Sequence, residues 1–250
     1  MKLENKVVVI TGGTRDIGKA ISIKLAAEGA KVAINYFNSE ENAQETKDAI
    51  TAQGGEAILV RGDMTKKADV ESLIQKTTEA FGSQINGLVN VAGGLVARKT
   101  LDEMDEDFFN QVMQLNMNST FLLTKASVPH MQAGASIVNL ASQAGRDGGG
   151  PGASAYATSK GAVVTFTRSM AKELGPKGIR VNSLCPGMIS TTFHDTFTND
   201  TARTNVANST PLRREGKSEE VADTVSYLLS EESSFITGVN LDINGGLLFS

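Results

Sequence analysis

Short apolar runs recur along the chain, and longer amphipathic segments separate them. The apolar runs lie at 6–11, 31–36, 56–61, 85–92, 135–141, 179–185 and 238–243. Most of these runs are rich in valine and isoleucine and alternate little between apolar and polar residues, which is typical of parallel strands covered on both faces. The pattern therefore predicts about seven parallel strands in one buried sheet.

The segments between the runs carry a helical period. Predicted helices lie at 17–28, 40–53, 66–81, about 103–130, 154–175 and 218–230. Ser39 and Ser218 each precede two acidic residues, which predicts a helix N-cap at each serine. Strands that alternate with helices in this way predict right-handed crossovers and a doubly wound α/β sheet of the Rossmann type, with helices on both faces. The glycine-rich stretch 145–154 is predicted to be a loop, because the alternation resumes after it.

Composition fits this architecture and narrows the class of protein. The chain has 250 residues without a linker, repeat or low-complexity segment, so a single domain over 1–250 is predicted. Hydrophobic residues make up 40% and charged residues 21%, which is typical of a globular chain rather than a disordered one. The net charge of -4 disfavours nucleic acid as a partner, since such partners usually require a basic surface.

Cysteine and histidine counts limit cross-links and metal sites. Cys185 is the only cysteine, so no intrachain disulfide can form. The two histidines, His130 and His194, are far apart in sequence, and no metal site is predicted. The N-terminus lacks the features of a signal peptide, and no 18-residue apolar run predicts a membrane span. A reducing, cytoplasmic setting is therefore expected.

A glycine turn follows the first strand in "VVVITGGTRDIG" (7–18) and leads into a helix. Such a turn directs free backbone N–H groups and a helix dipole at one point, which suits a pyrophosphate. Gly12 permits the tight turn, and Gly18 permits close packing of the helix on the sheet. Taken alone, the same features also fit a plain strand–helix connection.

The end of the second strand bears on the choice of nucleotide. Enzymes that prefer NAD carry an acidic residue there, which accepts a hydrogen bond from the ribose 2′-OH. This chain has Asn35 at that position, followed by Tyr36. Arg15 is a candidate for a 2′-phosphate, and Asn38 and Ser39 add neutral donors. NADPH is therefore predicted over NADH, the alternative being that Arg15 is a solvated surface residue.

Tyr156 and Lys160 stand four residues apart in "SAYATSKGA" (154–162), among small residues. Positions i and i+4 share one face of a helix. A cation beside a tyrosine favours the phenolate and lowers the phenol pKa from about 10, so that the tyrosine can serve as a general acid or base. A bare Tyr-x-x-x-Lys pattern is common by accident, so its context decides its meaning.

Two further polar residues supply that context. Ser142 ends the fifth strand at the carboxyl edge of the sheet, where ligands bind in such folds, and its hydroxyl can donate to a carbonyl oxygen. Asn116 lies within a predicted helix, where asparagine is a poor helix former. A buried amide at Asn116 is predicted to bend the helix and hold a water.

These motifs together resemble those of the short-chain dehydrogenase/reductases. The order and spacing of Asn116, Ser142, Tyr156 and Lys160 are similar to the catalytic tetrad of that family. The turn Thr-Gly-x-x-x-x-Ile-Gly resembles the family's cofactor turn, with Asp16 in place of the middle glycine. The segments "NVAGG" (90–94), "CPGMIST" (185–191) and "DINGG" (242–246) extend the resemblance over nearly the whole chain.

The resemblance implies a hydride transfer from the nicotinamide C4 to a carbonyl carbon. In it Ser142 and Tyr156 bind the carbonyl oxygen, and Tyr156 gives it a proton. Lys160 binds the nicotinamide ribose and biases the tyrosine, while Asn116 orders a water that replaces the proton. Asp16 is expected to add bulk and negative charge near the phosphates, which Arg15 could offset.

The resemblance also implies a cofactor site along the strand ends. Asp63 would accept from the adenine amino group, although a turn or N-cap aspartate fits its spacing equally well. The predicted cofactor-binding residues are Gly12, Thr14, Arg15, Asp16, Ile17, Asn35, Tyr36, Asn38, Ser39, Asp63, Met64, Asn90, Ala92, Gly93, Tyr156, Lys160, Pro186, Gly187, Ile189 and Thr191.

Two features of the sequence bear on the class of substrate. The chain resembles 3-oxoacyl-[acyl-carrier-protein] reductases and sugar or polyol reductases, but 128–139 has no lysine or arginine to meet an acidic carrier protein. Arg98 and Arg146 lie on loops at the predicted site edge, where either could pair with a small carboxylate. A keto-sugar acid such as 4-deoxy-5-hexoseulose uronate is then the candidate; the alternative is that both arginines are solvated. His194 is a substrate contact or a surface residue.

Two alternatives stay open, and one assembly is implied. The alternatives are a 3-oxoacyl-[acyl-carrier-protein] reductase and a non-catalytic module that senses NADP(H). The family resemblance implies a homotetramer formed through the helices of Asn116 and Tyr156 and the C-terminal strand. The apolar tail "GGLLFS" (245–250) fits burial in such an interface.

Overall fold

The computed structural model describes residues 1–249 and contains a seven-stranded sheet in which every neighbouring pair is parallel. The strands are β1 (Val7–Thr11), β2 (Lys31–Tyr36), β3 (Glu56–Arg61), β4 (Gly87–Asn90), β5 (Ser136–Leu140), β6 (Arg180–Pro186) and β7 (Asn240–Ile243). Their spatial order is β3-β2-β1-β4-β5-β6-β7, so the direction of winding reverses between β1 and β4. The predicted Rossmann-type α/β fold is confirmed, and β2 and β3 match the predicted runs residue for residue.

Helices connect the strands and cover both faces of the sheet. Among the described residues they are α1 (Asp16–Ala27), α2 (Glu40–Thr51), α3 (Lys67–Phe81), α4 (Glu106–Met113), α5 (Ser119–Ser127), α6 (Ala144–Asp147), α7 (Ser154–Leu174), α8 (Thr192–Phe197), α9 (Asp200–Ser209) and α10 (Ser218–Leu229). A π-helical turn, Gln114–Asn118, joins α4 to α5.

The continuous apolar run of β1 reflects burial on both faces of the sheet. Val8 and Ile10 pack into one cluster with α1 and α10, whereas Val9 packs into a second cluster with α3, α5 and α7. Successive side chains of a strand point to opposite faces, so each face needs apolar residues. This geometry leaves the strand ends, rather than the faces, free to form a site.

Several predicted helix details are wrong. The helix predicted at about 103–130 is interrupted by the π-helical turn, and the loop predicted at 145–154 begins within helix α6. Lys217, rather than Ser218, is the N-cap of α10, because its backbone is extended and its N–H donates to Glu220 Oε2 over 2.8 Å. The cap at Ser39 is confirmed, since its hydroxyl accepts from the N–H of Asn42.

The helices and the metal-binding side chains of residues 1–249 bear on membranes and metals. No helix in this range is both long and apolar enough to cross a bilayer. The same range contains no group of three or more histidine, cysteine, aspartate or glutamate residues arranged to hold a metal ion.

Candidate active site

The reversal of winding between β1 and β4 opens a crevice at the carboxyl ends of the strands, the usual ligand position in such sheets. Thr11 joins the two strand ends, because its Oγ1 accepts from the N–H groups of Val91 and Ala92 at 3.1 Å each. The segment after β1, residues 12–17, is here named the dinucleotide turn. Gly12 adopts φ +62° in this turn, and a Cβ there would lie 3.2 Å from Ala92 Cα. The turn and the end of β4 therefore approach each other closely.

Asn35 plays a different part from the one predicted. Its side chain is 2% exposed, and its Nδ2 donates to the carbonyl oxygens of Tyr36, Val60 and Gly62. Its Oδ1 accepts from Gly12 N–H at 3.4 Å. The prediction that Asn35 faces the nucleotide is therefore wrong, because the amide is used to fasten the ends of β2 and β3 to the dinucleotide turn.

Replacing Asn35 with aspartate is expected to destabilise the fold rather than create an NAD site. A carboxylate would face three carbonyl oxygens in a buried position, without the donor they now share. We expect a loss of about 2 kcal/mol in the free energy of unfolding, measured by urea titration. The exposed Asn38→Asp variant is the control, and equal stability of the two variants would contradict this assignment.

Three polar or charged residues beside the dinucleotide turn keep side-chain donors that the protein itself does not use. Arg15 is exposed at the start of α1, and its guanidinium forms no hydrogen bond or ion pair with any other residue of 1–249. Asn38 is also exposed, while Ser39 caps α2 and keeps its hydroxyl proton for donation. These residues leave a cation and neutral donors beside the dinucleotide turn.

Asp63 and Met64 are held by the protein itself. Asp63 Oδ1 accepts from the N–H and the hydroxyl of Thr65, at 2.9 and 2.7 Å. Its own N–H donates to Asp69 Oδ2 at 2.7 Å. The Met64 side chain is buried in the apolar cluster of α3. Asp63 is thus the turn aspartate that the sequence left open, and contact of this pair with adenine stays a prediction.

Tyr156 and Lys160 share one face of α7, as their spacing predicts. The Lys160 Nζ donates to the Leu140 carbonyl oxygen at 2.6 Å and lies 5.8 Å from the centre of the Tyr156 ring. Leu140 is the last residue of β5, and two residues later the Ser142 hydroxyl lies near enough to Tyr156 to lower the pKa of its phenol. The serine, tyrosine and lysine therefore meet at one point on the carboxyl edge of the sheet.

Asn116 lies in the π-helical turn that interrupts the predicted helix, and a bend caused by its amide stays a prediction. Its Nδ2 donates to the carbonyl oxygens of Gly94 and Val112, and its Oδ1 accepts from Gly94 N–H at 3.0 Å. Both ends of the amide are therefore bonded to the backbone after β4. Its role in ordering a water stays a prediction.

Gly93 separates Asn116 from Lys160. A Cβ at Gly93 would lie 2.5 Å from Asn116 Oδ1 and 3.2 Å from Lys160 Nζ. Only a residue without a side chain fits between these two polar groups. The four residues of the predicted tetrad thus lie at the carboxyl ends of β4 and β5, on one side of the crevice between β1 and β4.

Comparisons with known proteins agree with this geometry. A protein-family model described as enoyl-(acyl carrier protein) reductase matches residues 12–248. The uncharacterized oxidoreductase YhxC of Bacillus subtilis is 36% identical over 247 residues, covering 99% of this chain and 86% of that relative. This chain belongs to the short-chain dehydrogenase/reductase family. It is therefore an NAD(P)-dependent oxidoreductase.

Solved structures of other reductases share the fold. A short chain dehydrogenase from Burkholderia cenocepacia, in complex with NADP, has a TM-score of 0.92 and 33% identity, with 99% of each chain covered. The NADH-dependent reductase A1-R′, described as responsible for alginate metabolism, has a TM-score of 0.90 and 33% identity, again with 99% of each chain covered.

Burial controls the acidity of Tyr156 and Lys160 in this oxidoreductase. Burial raises the pKa of Tyr156, and the Ser142 hydroxyl lowers it by less. Burial also lowers the pKa of Lys160 to about 8. The predicted lowering of the Tyr156 pKa is not found in the free protein, because burial of the phenol outweighs the lowering contribution and the Lys160 Nζ is directed at Leu140 O. Tyr156 consequently keeps its proton at neutral pH.

The reduction rate should depend on pH through Lys160. The ammonium is charged below its pKa of about 8 and neutral above it. If Tyr156 is the proton donor, as predicted, this charge would stabilise the phenolate that remains after the proton transfer. We therefore expect kcat/KM for carbonyl reduction to fall as the pH rises through about 8, measured by NADPH absorbance from pH 6 to 10. A constant kcat/KM across this range would contradict the assignment.

The two arginines at the site edge are bound by the protein. Arg146 Nη1 pairs with Asp242 Oδ1 at 3.1 Å, which links α6 to β7. Arg98 donates to the carbonyl oxygens of Phe197 and Pro151, at 3.1 and 2.9 Å. Arg146 is therefore neither a free cation for a substrate carboxylate nor a solvated loop residue, and Arg98 holds the end of α8 to the loop before α7.

Helix α8 covers the site, and the sequence pattern did not predict it. Its Phe193 ring lies 5.9 Å from the Tyr156 ring, measured between centroids. His194 contacts Phe193 and pairs its Nδ1 with Thr198 Oγ1 at 3.0 Å, and burial lowers its pKa. A neutral, partly buried imidazole makes His194 a packing residue of α8 rather than a surface cation.

The segment between β6 and α8 returns to the same edge. The Pro186 carbonyl accepts from Gln143 N–H at 2.9 Å, directly after Ser142. A Cβ on Gly187 would lie 2.7 Å from Asn244 Cβ. Ile189 forms an isolated bridge with Gly216, and Thr191 leads into α8. Pro186 and Gly187 thus lie next to Gln143, the residue that follows Ser142, whereas Ile189 and Thr191 lie further along toward α8.

Proposed function

We propose that this protein is an NADPH-dependent carbonyl reductase in which Tyr156 is the proton donor. The observation that carries the proposal is the placement of Tyr156 and Lys160 on one face of α7, where Lys160 Nζ lies 5.8 Å from the centre of the tyrosine ring and bonds to Leu140 O, two residues before Ser142. Burial keeps Tyr156 protonated, and the Ser142 hydroxyl interacts with it. We also propose that a single domain over 1–250 carries both the cofactor and the substrate sites.

The residues present fit a nicotinamide dinucleotide. The dinucleotide turn would hold the pyrophosphate through its backbone N–H groups, since it opens α1 and contains Gly12 at positive φ. Small residues after β4, Ala92 and Gly93, leave room beside Lys160 for the nicotinamide ribose. Residues 186–191 would border the carboxamide. Bound NADPH supplies a hydride to the carbonyl carbon.

The side chains complete the reaction at the carbonyl oxygen. Ser142 and Tyr156 donate hydrogen bonds to that oxygen and stabilise the negative charge that develops on it. Tyr156 then transfers its phenolic proton to the oxygen, which gives the alcohol. The Lys160 ammonium stabilises the resulting phenolate at a pH below its pKa of about 8. Helix α8, through Phe193, keeps bulk water from the crevice.

The preference for NADPH is tested at Arg15. If its free guanidinium binds the 2′-phosphate, Arg15→Ala should raise KM for NADPH by about tenfold or more and leave KM for NADH nearly unchanged. Lys19→Ala is a matched control, since Lys19 lies on the same helix but pairs with Glu45 at 3.3 Å. Equal changes for both cofactors would overturn the preference. One solved relative binds NADP and another is named NADH-dependent.

The proposed substrate is a small polar keto compound, with keto-sugar acids such as 4-deoxy-5-hexoseulose uronate as the specific candidate. The relative named for alginate metabolism supports this candidate. Arg98 and Arg146 support it less than the sequence suggested, because protein groups already bind both guanidiniums.

A panel of substrates should compare this uronate, a neutral diketone and a 3-oxoacyl carrier-protein thioester by kcat/KM. The highest value for the thioester would favour the carrier-protein alternative, and NADPH binding without turnover of any of them would favour a sensing module.

We further propose a homotetramer in the cytoplasm. Strand β7 is an edge strand with an exposed Leu241, and Phe249 near the chain end is exposed, which fits a covered C-terminal surface. The last residue of the predicted tail, Ser250, lies outside the described residues. Light scattering after size exclusion should give four times the chain mass of 26.4 kDa. A mass of one chain would overturn the tetramer, and cell fractionation tests the compartment.

A further inference from the structure

Asp16 stands in the dinucleotide turn at a position whose backbone favours glycine. Its φ is +48°, a left-handed conformation that residues with a side chain adopt infrequently, aspartate more readily than most. Glycine would take the same conformation without strain. The geometry of the turn therefore does not explain why this position carries a charged side chain.

The Asp16 carboxylate bonds to a distant part of the chain. Its Oδ1 accepts from the N–H of Thr192 at 3.0 Å, and its Oδ2 accepts from the Thr192 hydroxyl at 2.5 Å. Thr192 is the first residue of α8, and both of its donors are used by this one carboxylate. Charge-assisted hydrogen bonds of this kind are stronger than neutral ones. The dinucleotide turn and the start of α8 are thus fastened together.

The residue that follows Thr192 in α8 contacts the catalytic tyrosine directly. Phe193 follows Thr192, and its ring packs against Tyr156 and, at 5.2 Å between centroids, against Phe197. The other end of α8 is held where Arg98 Nε donates to the Phe197 carbonyl. The helix over the site is therefore tied at both ends, once to the dinucleotide turn and once to the loop before α7.

We propose that Asp16 is a positioning residue that fastens α8 to the dinucleotide turn and so sets how closely the substrate pocket closes over Tyr156. The Asp16 carboxylate also places a negative charge beside the predicted phosphate site. In the free protein the two Thr192 donors partly neutralise that charge. Removing the carboxylate should have opposite effects on the two ligands. The carbonyl substrate should bind more weakly, and NADPH should bind equally well or more tightly.

The direct test is amide hydrogen exchange of the free protein over residues 190–198. Asp16→Gly suits the backbone, so it should fold, and it should speed exchange in this segment by about tenfold. Thr192→Val, which loses the hydroxyl and keeps the N–H, should have a smaller effect in the same direction. The double variant should exchange no faster than Asp16→Gly alone, since both changes break one contact. Thr196→Val is the control, because its hydroxyl bonds only within α8, to Thr192 O.

Unchanged exchange in Asp16→Gly would overturn the inference, and so would additive effects in the double variant. A second experiment, which measures steady-state kinetics, rests on the proposed function. In it Asp16→Gly should raise KM for the carbonyl substrate by about tenfold without raising the NADPH dissociation constant. If no carbonyl compound is turned over, the proposed function fails, while the exchange experiment still decides the role of Asp16.

Discussion

Tyr156→Phe should lower kcat for carbonyl reduction by about 10²–10⁴-fold, the usual contribution of a positioned general acid. The substitution removes the phenolic hydroxyl, and with it the proton and the interaction with Ser142, but keeps the ring that packs against Phe193. The NADPH dissociation constant should stay nearly unchanged, because Lys160 and the dinucleotide turn are untouched. Turnover is measured by NADPH absorbance, and binding by fluorescence of the bound cofactor.

A matched control separates loss of the catalytic proton from loss of any tyrosine hydroxyl. Tyr227→Phe changes a partly buried tyrosine on α10, far along the chain from the crevice, and should retain the full rate. If Tyr156→Phe retained the rate of that control, Tyr156 would not be the proton donor. The enzyme would then need another acid in the same crevice.

Gly18→Ala should remove the dinucleotide site and much of the stability. A Cβ at Gly18 would lie 2.0 Å from the Gly12 carbonyl oxygen and 3.0 Å from Gly13 Cα. These are backbone atoms of the turn, so α1 must move away from the sheet to admit the methyl group. We expect the free energy of unfolding to fall by about 3 kcal/mol or more. NADPH binding should fall below detection in the same variant.

Gly175→Ala is the control for this change. No atom lies within 4 Å of the position that its Cβ would take, and its φ is not positive. Both variants add one methyl group, so a difference in Tm between them reports the contact at Gly12. Equal values of Tm would contradict the close approach of α1 to the turn.

The sheet was predictable from the sequence because each strand is buried on both faces. Burial of alternate residues in two separate clusters produces the continuous apolar runs of β1 and β2. The short helices α6, α8 and α9 were not predictable in this way. Helices α6 and α8 have four and six residues, too few to show a helical period, and α9 contains no buried residue.

The tetrad was predictable in order but not in electrostatics. Four-residue spacing on one helix brings Tyr156 and Lys160 to one face whatever the surroundings. The direction of the Lys160 Nζ depends instead on the end of β5, where the Leu140 carbonyl oxygen accepts a hydrogen bond from it. Asn35 was misassigned for a similar reason, since three carbonyl oxygens from two strand ends meet its amide only in the folded sheet. Long-range contacts of this kind leave no local pattern.

The central claim is that Tyr156 carries its proton at neutral pH and can therefore donate it. The direct measurement is an NMR titration of the free protein labelled with 13C at the tyrosine Cζ, in which only three tyrosines contribute signals. The Tyr156→Phe variant assigns the resonance. The account predicts a pKa for Tyr156 above the usual value of about 10, because burial raises it. A pKa near or below 8 would contradict the account, since Tyr156 would then be largely a phenolate under working conditions.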